Sequence, residues 1–159
     1  MMTPPADDID RLMEVMDAAF PAKFGEAWTR RQVEDAILFG RSYYYLIGED
    51  GTQALPGQKA AGFFLSRLGV EEEELLLLAV SPQYRRRGLG RRILEELSKS
   101  AKDRGSQRIF LEMREGNNAE LLYVSHGFRT IGKRPKYYLC DDGSRIDAIT
   151  FALPLNESA

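Results

Sequence analysis

Two groups of residues combine the types and spacing that chemistry needs. The first is Arg85-Arg86-Arg87-Gly88-Leu89-Gly90-Arg91, which follows the apolar run Leu75–Val80 and a Ser81-Pro82 break. A buried strand, a cationic glycine turn and a helix, in that order, build an anion site. Glycine lets the backbone approach a phosphate closely. The free N–H groups and positive dipole end of a helix's first turn attract negative charge. The second is Glu112, near the end of a run that alternates in character. Ile109, Leu111 and Met113 point one way, and Arg108, Phe110 and Glu112 the other. A carboxylate there either pairs with a neighbouring cation such as Arg114 or serves as a base tuned by desolvation. Tyr123, flanked by Leu121, Leu122 and Phe128, reads on its own as a core tyrosine with a satisfied hydroxyl.

The identity of the anion narrows by exclusion. No Lys-Ser or Lys-Thr follows the glycines, which argues against a nucleotide-hydrolysing phosphate loop. A dinucleotide turn needs a third glycine where Ile93 stands. The formal charge of the 159 residues is −2, so the arginine cluster is a local feature on a mildly acidic body. That balance favours a small anionic ligand over a polyanion, and no aromatic-basic motif supports nucleic-acid binding. Cys140 is the only cysteine and His126 the only histidine, so neither a disulfide nor a zinc site of the usual ligand set is expected. Asp141 and Asp142 beside Cys140 disfavour a reactive thiolate there. His126 reads as structural, at a helix C-terminus. The first eight residues lack the charged and apolar regions of a signal peptide, and the longest apolar run is far below the ~20 residues that span a bilayer. A cytoplasmic protein without a membrane partner is the expectation.

The elements that must hold these groups follow from periodicity and punctuation. Ile9, Leu12, Met13, Met16, Ala19 and Phe20 recur at helical spacing, with Asp7 or Asp8 as cap. Thr29-Arg30-Arg31-Gln32 reads as a capping box opening a second helix through Val33, Ile37 and Leu38. Extended segments are expected over 42–47, 60–68 and 74–80, the last buried on both faces. The four glutamates 71–74 read as a solvated turn, with attraction of a basic substrate peptide as the alternative. A helix over 91–104 stops at Gly105, a strand runs over 108–113, and Asn117 or Asn118 caps a short helix ending at Gly127. Two closing strands over 128–139 and 146–153 complete the order α, α, β, β, β, α, β, α, β, β. That order predicts one α/β domain over residues 1–159, with its core about 8–154 and a mixed, mostly antiparallel sheet flanked by helices.

Taken together, these segments resemble the GCN5-related N-acetyltransferases. Leu78-Ala79-Val80-Ser81-Pro82-Gln83-Tyr84-Arg85-Arg86-Arg87-Gly88-Leu89-Gly90-Arg91 is similar to that family's acetyl-coenzyme A motif, Gln/Arg-x-x-Gly-x-Gly/Ala, set between a strand and a helix. Ala19-Phe20-Pro21 with Glu26-Ala27-Trp28, Leu111-Glu112-Met113-Arg114-Glu115-Gly116-Asn117 and Leu122-Tyr123-Val124-Ser125-His126-Gly127-Phe128 resemble the type that acetylates the N-terminal alanine of a small-subunit ribosomal protein. Tyr137-Tyr138 and Asp147-Ala148-Ile149 extend that likeness. The resemblance implies that the backbone of Leu78, Ala79 and Val80 binds the pantetheine arm. Arg86, Arg87, Gly88, Leu89, Gly90 and Arg91 would cradle the pyrophosphate, and Arg85 fills the motif's Gln/Arg position. Asn117 would contact the cofactor, Glu112 act as base and Tyr123 as acid. Trp28, Tyr137 and Tyr138 would face the acceptor, a protein N-terminus. Two departures stand out: the helix near Asp8 leaves almost no room for the family's first edge strand, and Glu112 to Tyr123 is eleven residues, one short of the type, with Asn117 and Asn118 competing for the cofactor contact. The competing acceptors are a small amine, an antibiotic or a protein lysine. A non-catalytic binder of coenzyme A or RNA phosphate is the alternative of another class.

Overall fold

A computed structural model describes residues 6–20 and 26–155; Pro21 lies outside them. The elements are α1 (Ala6–Ala19), α2 (Arg30–Phe39), β1 (Ser42–Ile47), β2 (Gly62–Leu68), β3 (Glu72–Val80), α3 (Leu89–Asp103), β4 (Arg108–Arg114), α4 (Glu120–His126), β5 (Arg129–Leu139) and β6 (Arg145–Pro154). They follow the expected order. Among the described residues the chain enters directly as α1, and β1 forms an edge of the six-stranded sheet β1-β2-β3-β4-β6-β5. Every pairing is antiparallel except β3 with β4.

Local chemistry explains most boundaries. Thr29 caps α2: its hydroxyl accepts from the Gln32 N–H, and the Gln32 side chain accepts from the Thr29 N–H at 2.7 Å. Asp7 and Asp8 lie inside the first turn of α1 rather than capping it, where their charge complements the helix dipole. They also hold Arg11, whose guanidinium reaches the Leu55 and Gln58 carbonyls and pins the β1–β2 loop. Helix α3 starts at Leu89, two residues before the expected Arg91, because Gly88 adopts the left-handed conformation (φ 76°) that launches it. The N-cap of α4 is Ala119, not Asn117 or Asn118; Asn117 contributes by accepting from the Ala119 N–H at 2.8 Å.

Helices cover both faces of the sheet. Against α3 and α4 pack Phe64, Leu75, Ile109, Leu111, Phe128 and Phe151, while α1 and α2 bury Phe63, Leu65, Leu77 and Ala79. Strand β3 is not uniformly buried: Leu75, Leu77 and Ala79 are buried, and Leu76, Leu78 and Val80 only partly. A bulge is the cause of its irregular facing. Leu65 pairs Leu77 but Ser66 pairs Leu75, leaving Leu76 as an extra residue. Leu76 and Leu77 therefore both lean toward α1 and α2, whereas Leu75 packs on the α3 side.

The glutamate run is not a solvated turn. Only Glu71 stays in the turn, at φ 60°, and Glu72–Glu74 open β3. Glu73 is fully buried, accepting from Arg104 at 2.6 and 3.0 Å and from Ser66 at 2.6 Å. The Tyr43 ring stacks on the Arg104 guanidinium at 3.8 Å. Glu72 and Glu74 pair with Arg108 and Arg67. The run is thus consumed by the fold and offers no open acidic surface to a peptide.

Candidate active site

The site begins where the sheet comes apart. Strands β3 and β4 pair only at Glu72–Arg108, Glu73–Ile109 and Glu74–Phe110, although β3 continues to Val80 and β4 to Arg114. Beyond Glu74 the two strands share no register, and β3 presents an edge inside the sheet. Which backbone groups face that edge follows from parity. The Ser81 N–H donates to the Ala61 carbonyl, in register with the β2–β3 ladder. Ser81, Ala79 and Leu77 therefore turn their polar groups to β2, while Leu78 and Val80 turn theirs to the split. An extended chain with amide groups fits there as a strand would. The Val80 carbonyl already accepts from Arg85 Nε at 3.1 Å.

At the end of β3 a 3-10 turn, Pro82–Tyr84, leads into the cationic glycine segment. The two glycines do different work. Gly88 needs its positive φ, and a Cβ there would meet nothing within 4 Å. A Cβ on Gly90 would stand 2.9 Å from Leu122 Cδ2, so this glycine lets α4 pack against the start of α3. Arg86 is also left-handed, at φ 64°. Because Gly88 has no side chain, no side-chain cap blocks the first N–H groups of α3, and Arg92 makes the first helical bond back to Gly88. These uncapped N–H groups, set beside the arginines, suit a pyrophosphate.

The arginines divide. Arg85 is committed to structure, donating to Val80 and to the Ala19 carbonyl at 3.2 Å, and so tying the end of α1 to β3. Arg87 lies 5.5 Å over the Tyr84 ring, and Arg91 pairs loosely with Glu95 at 3.7 Å with its side chain 76% exposed. Arg86, Arg87 and Arg91 are exposed and able to swing toward an anion.

On β4, Glu112 points away from Ile109, Leu111 and Met113 as expected, and its face is only partly covered. Its cationic partner is not Arg114. Arg134 Nε, on β5, lies 3.0 Å from Glu112 Oε2, and Thr150 Oγ1 stands 3.4 Å away. Arg114 instead donates to Glu26 at 3.2 Å, in a pair whose side chains are 12% and 13% exposed. Asn117 Nδ2 donates to the other Glu26 oxygen at 3.3 Å. Glu26 thereby fastens the segment before α2 to the ends of β4 and the α4 entry. Neither Glu26 nor Arg134 stood out from the sequence, where only the resemblance of the Glu26-Ala27-Trp28 stretch pointed to this side.

Two tyrosines lie near the Glu26 charge. Tyr123 is buried in the α3-side core with its ring edge-on to Phe128, centroids 5.6 Å apart. Burial, then the nearby Glu26 charge, pushes its phenol well above the ordinary tyrosine range, so it stays protonated. Tyr138 is pushed up to about 12 by burial first and then by Glu112, Glu26 and Tyr137. Tyr137 stacks edge-on against Tyr138 at 5.3 Å and lies under Arg134 at 5.1 Å. Trp28 packs against the α1–α2 core and is only partly buried there. Glu112 lies on the opposite face of the sheet from the α3-side core that holds Tyr123, and Glu26 is the carboxylate near Tyr123 and Tyr138 alike.

The region thus holds an unpaired β3 edge, an uncapped helix start beside exposed arginines, a carboxylate on β4 and a buried phenol on α4. A model of the acetyltransferase (GNAT) family matches residues 9–128. The "[Ribosomal protein bS18]-alanine N-acetyltransferase" of Escherichia coli strain K12 is 41% identical over 99 residues, a stretch covering 62% of this chain and 66% of that protein. The protein of the same name from Salmonella typhimurium is 38% identical over 136 residues, covering 82% of this chain and 90% of its own. The crystal structure of the Escherichia coli ribosomal-protein-S18-alanine N-acetyltransferase superposes with a TM-score of 0.78 at 30% identity, covering 99% of this chain and 94% of that one.

Proposed function

Because the chain belongs to the GNAT family and so to the acetyl-coenzyme A-dependent N-acetyltransferases, we propose that it acetylates the N-terminal α-amine of a protein, with alanine first and a small-subunit ribosomal protein as the carrier. The observation that carries this reading is Glu112: a carboxylate on the partly open face of β4, beside the β3–β4 split, with Tyr138 close by. The names of the similar Escherichia coli and Salmonella proteins support the acceptor. An acceptor on the ribosome puts the reaction in the cytoplasm.

Bound acetyl-coenzyme A would supply an activated acetyl thioester. The edge groups of Leu78 and Val80 would hold its arm, and the first N–H groups of α3 with Arg86, Arg87 and Arg91 its pyrophosphate. Holding both reactants in attack geometry is worth several kcal/mol of the barrier, about 7–11 kcal/mol in the best cases. Glu112 takes a proton from the acceptor ammonium, directly or through water, so that the nitrogen lone pair is free to attack. An N–H of the β3 edge stabilises the negative charge that develops on the carbonyl oxygen. Tyr123, held protonated, donates a hydrogen bond to the leaving sulfur. Asn117 is occupied on both sides by Ala119 and Glu26, so its part in this reading is to shape the wall near the cofactor.

The base strength required discriminates among acceptors. A terminal amine near 7.7–8.0 is partly neutral at physiological pH, whereas a lysine near 10.4 costs about 3.4 kcal/mol more to deprotonate. A single carboxylate suits the former. The test is mass spectrometry of purified protein with acetyl-coenzyme A and three acceptors: a peptide beginning with alanine, a lysine peptide with a blocked N-terminus, and a small polyamine. Acetylation confined to the α-amine supports the proposal. Preference for lysine or the polyamine moves the protein to a sister specificity, and no release of free thiol with any acceptor leaves it a binding module.

A further inference from the structure

The Glu112 carboxylate is not vacant in the free protein. Its face of the sheet is laid out in cross-strand rows: Glu112 lies opposite Thr150, which lies opposite Gly132, and the next row is Arg114, Ala148 and Arg134. Gly132 carries no side chain, so nothing on β5 stands between Arg134 and the row of Glu112. The Arg134 guanidinium leans across this gap and sets Nε 3.0 Å from Glu112 Oε2.

We propose that Arg134 is a displaceable stand-in for the acceptor's ammonium group, occupying the cation position at Glu112 until a protonated amine replaces it. This rests on the reading above that Glu112 faces the acceptor. The exchange balances: one positive charge leaves the carboxylate and one arrives, and no covalent bond changes.

The contrast between the two arginines of this face supports the assignment. Arg114 and Glu26 are both nearly buried, hydrogen-bonded, and braced by Asn117, which suits a permanent wall. The Arg134 side chain is 63% exposed while that of Glu112 is 19% exposed. Exposed ion pairs are weak, so releasing Arg134 to solvent costs little. Its guanidinium also has a place to rest, because the Tyr137 ring already lies 5.1 Å beneath it. A neutral, uncharged acceptor cannot make this exchange without leaving Glu112 bare. The device therefore selects amines that arrive as cations, and it keeps the carboxylate compensated between turnovers.

The experiment compares wild type, Arg134→Gln and Arg134→Lys with the alanine-first peptide, and follows the arginine side-chain N–H resonances in labelled protein. The Arg134 signal is identified by its loss in Arg134→Gln and its shift in Glu112→Gln. The expected result is that Arg134→Gln lowers the peptide KM by about two- to fivefold, the factor an exposed ion pair is worth, with a smaller change in kcat. Arg134→Lys restores the wild-type KM. The Arg134 signal shifts when the alanine-first peptide binds and stays put with the same peptide N-acetylated. An unchanged or raised KM in Arg134→Gln, in a variant that melts like wild type, overturns the proposal. So does an Arg134 signal that ignores the free-amine peptide. If the signal responds but no acetyl transfer occurs with any acceptor, the function reading fails while the exchange at Glu112 stands.

Discussion

Arg114 and Glu26 meet at 3.2 Å across a sequence separation of 88 residues, each only about one-eighth exposed. Through this pair the end of β4 grips the segment that leads into α2, and Asn117 adds a second grip on the same carboxylate. In the function proposed above, the pair joins the cofactor-side and acceptor-side halves of the site. Glu26→Gln keeps the shape and one acceptor but removes the charge that Arg114 meets. A partly buried pair broken on one side costs about 2 kcal/mol, below the 3–5 of a fully buried one. Urea denaturation is expected to show that loss with the m-value unchanged. Steady-state kinetics are expected to show a rise in acceptor KM with little change for acetyl-coenzyme A.

Glu112→Gln tests the base. The amide matches the carboxylate in size and can still accept from Thr150 at its oxygen, so the β4–β6 ladder is retained. Turnover is expected to fall about 10²- to 10⁴-fold, the range of general base contributions. Calorimetric titration with acetyl-coenzyme A is expected to give wild-type affinity, because the groups assigned to the cofactor lie on β3 and α3. Wild-type turnover in this variant removes Glu112 from the mechanism.

The two glycines of the turn respond differently to alanine. At position 88 the left-handed backbone has open space around the missing Cβ, so alanine meets strain and no clash, about 1 kcal/mol. Relief of that strain shifts the turn that aims the α3 N–H groups, and weaker acetyl-coenzyme A binding is expected. At position 90 the obstacle is Leu122 Cδ2, the far end of a flexible side chain, and alanine favours the helix. Gly90→Ala is therefore expected to fold with near-wild-type stability. Thermal melts of both variants, each with and without acetyl-coenzyme A, separate the two effects through the ligand-induced shift in Tm.

What the sequence made legible was local. The capping box at Thr29 and Gln32, the alternation of 108–113 and the Gly105 stop each involve residues a few positions apart, and each appears as read. What stayed hidden was the choice of partner across the sheet. Arg114 is two residues from Glu112 and was the natural counterion, yet Glu26 claims it from 88 positions away, and Arg134 takes its place. Glu73 looked solvated because its run is all acidic; only the arrival of Arg104 and Ser66 makes its burial affordable. The Leu76 bulge is equally invisible, since an unbroken leucine run carries no mark of the residue at which the register slips.

His126 supplies a pH test of the α3–α4 contact. Its Nε2 stands 3.0 Å from Ser98 Oγ, and its ring tilts against Phe128 with centroids 6.3 Å apart. Burial lowers its pKa below the usual imidazole value, Glu95 opposes that shift, and Arg91 adds to it. The native state therefore prefers the neutral ring. Between the depressed native pKa and the ordinary value near 6.5, the unfolded chain binds more protons than the folded one, so stability rises with pH there. The contribution is present above about 6.5 and is lost as pH falls through the native pKa. His126→Gln removes the titration and leaves a polar group for Ser98. Urea midpoints from pH 5 to pH 7.5 are expected to be flatter in this variant than in wild type. If the two profiles run parallel, the imidazole is not held neutral by the fold, and the α3–α4 contact does not depend on its protonation.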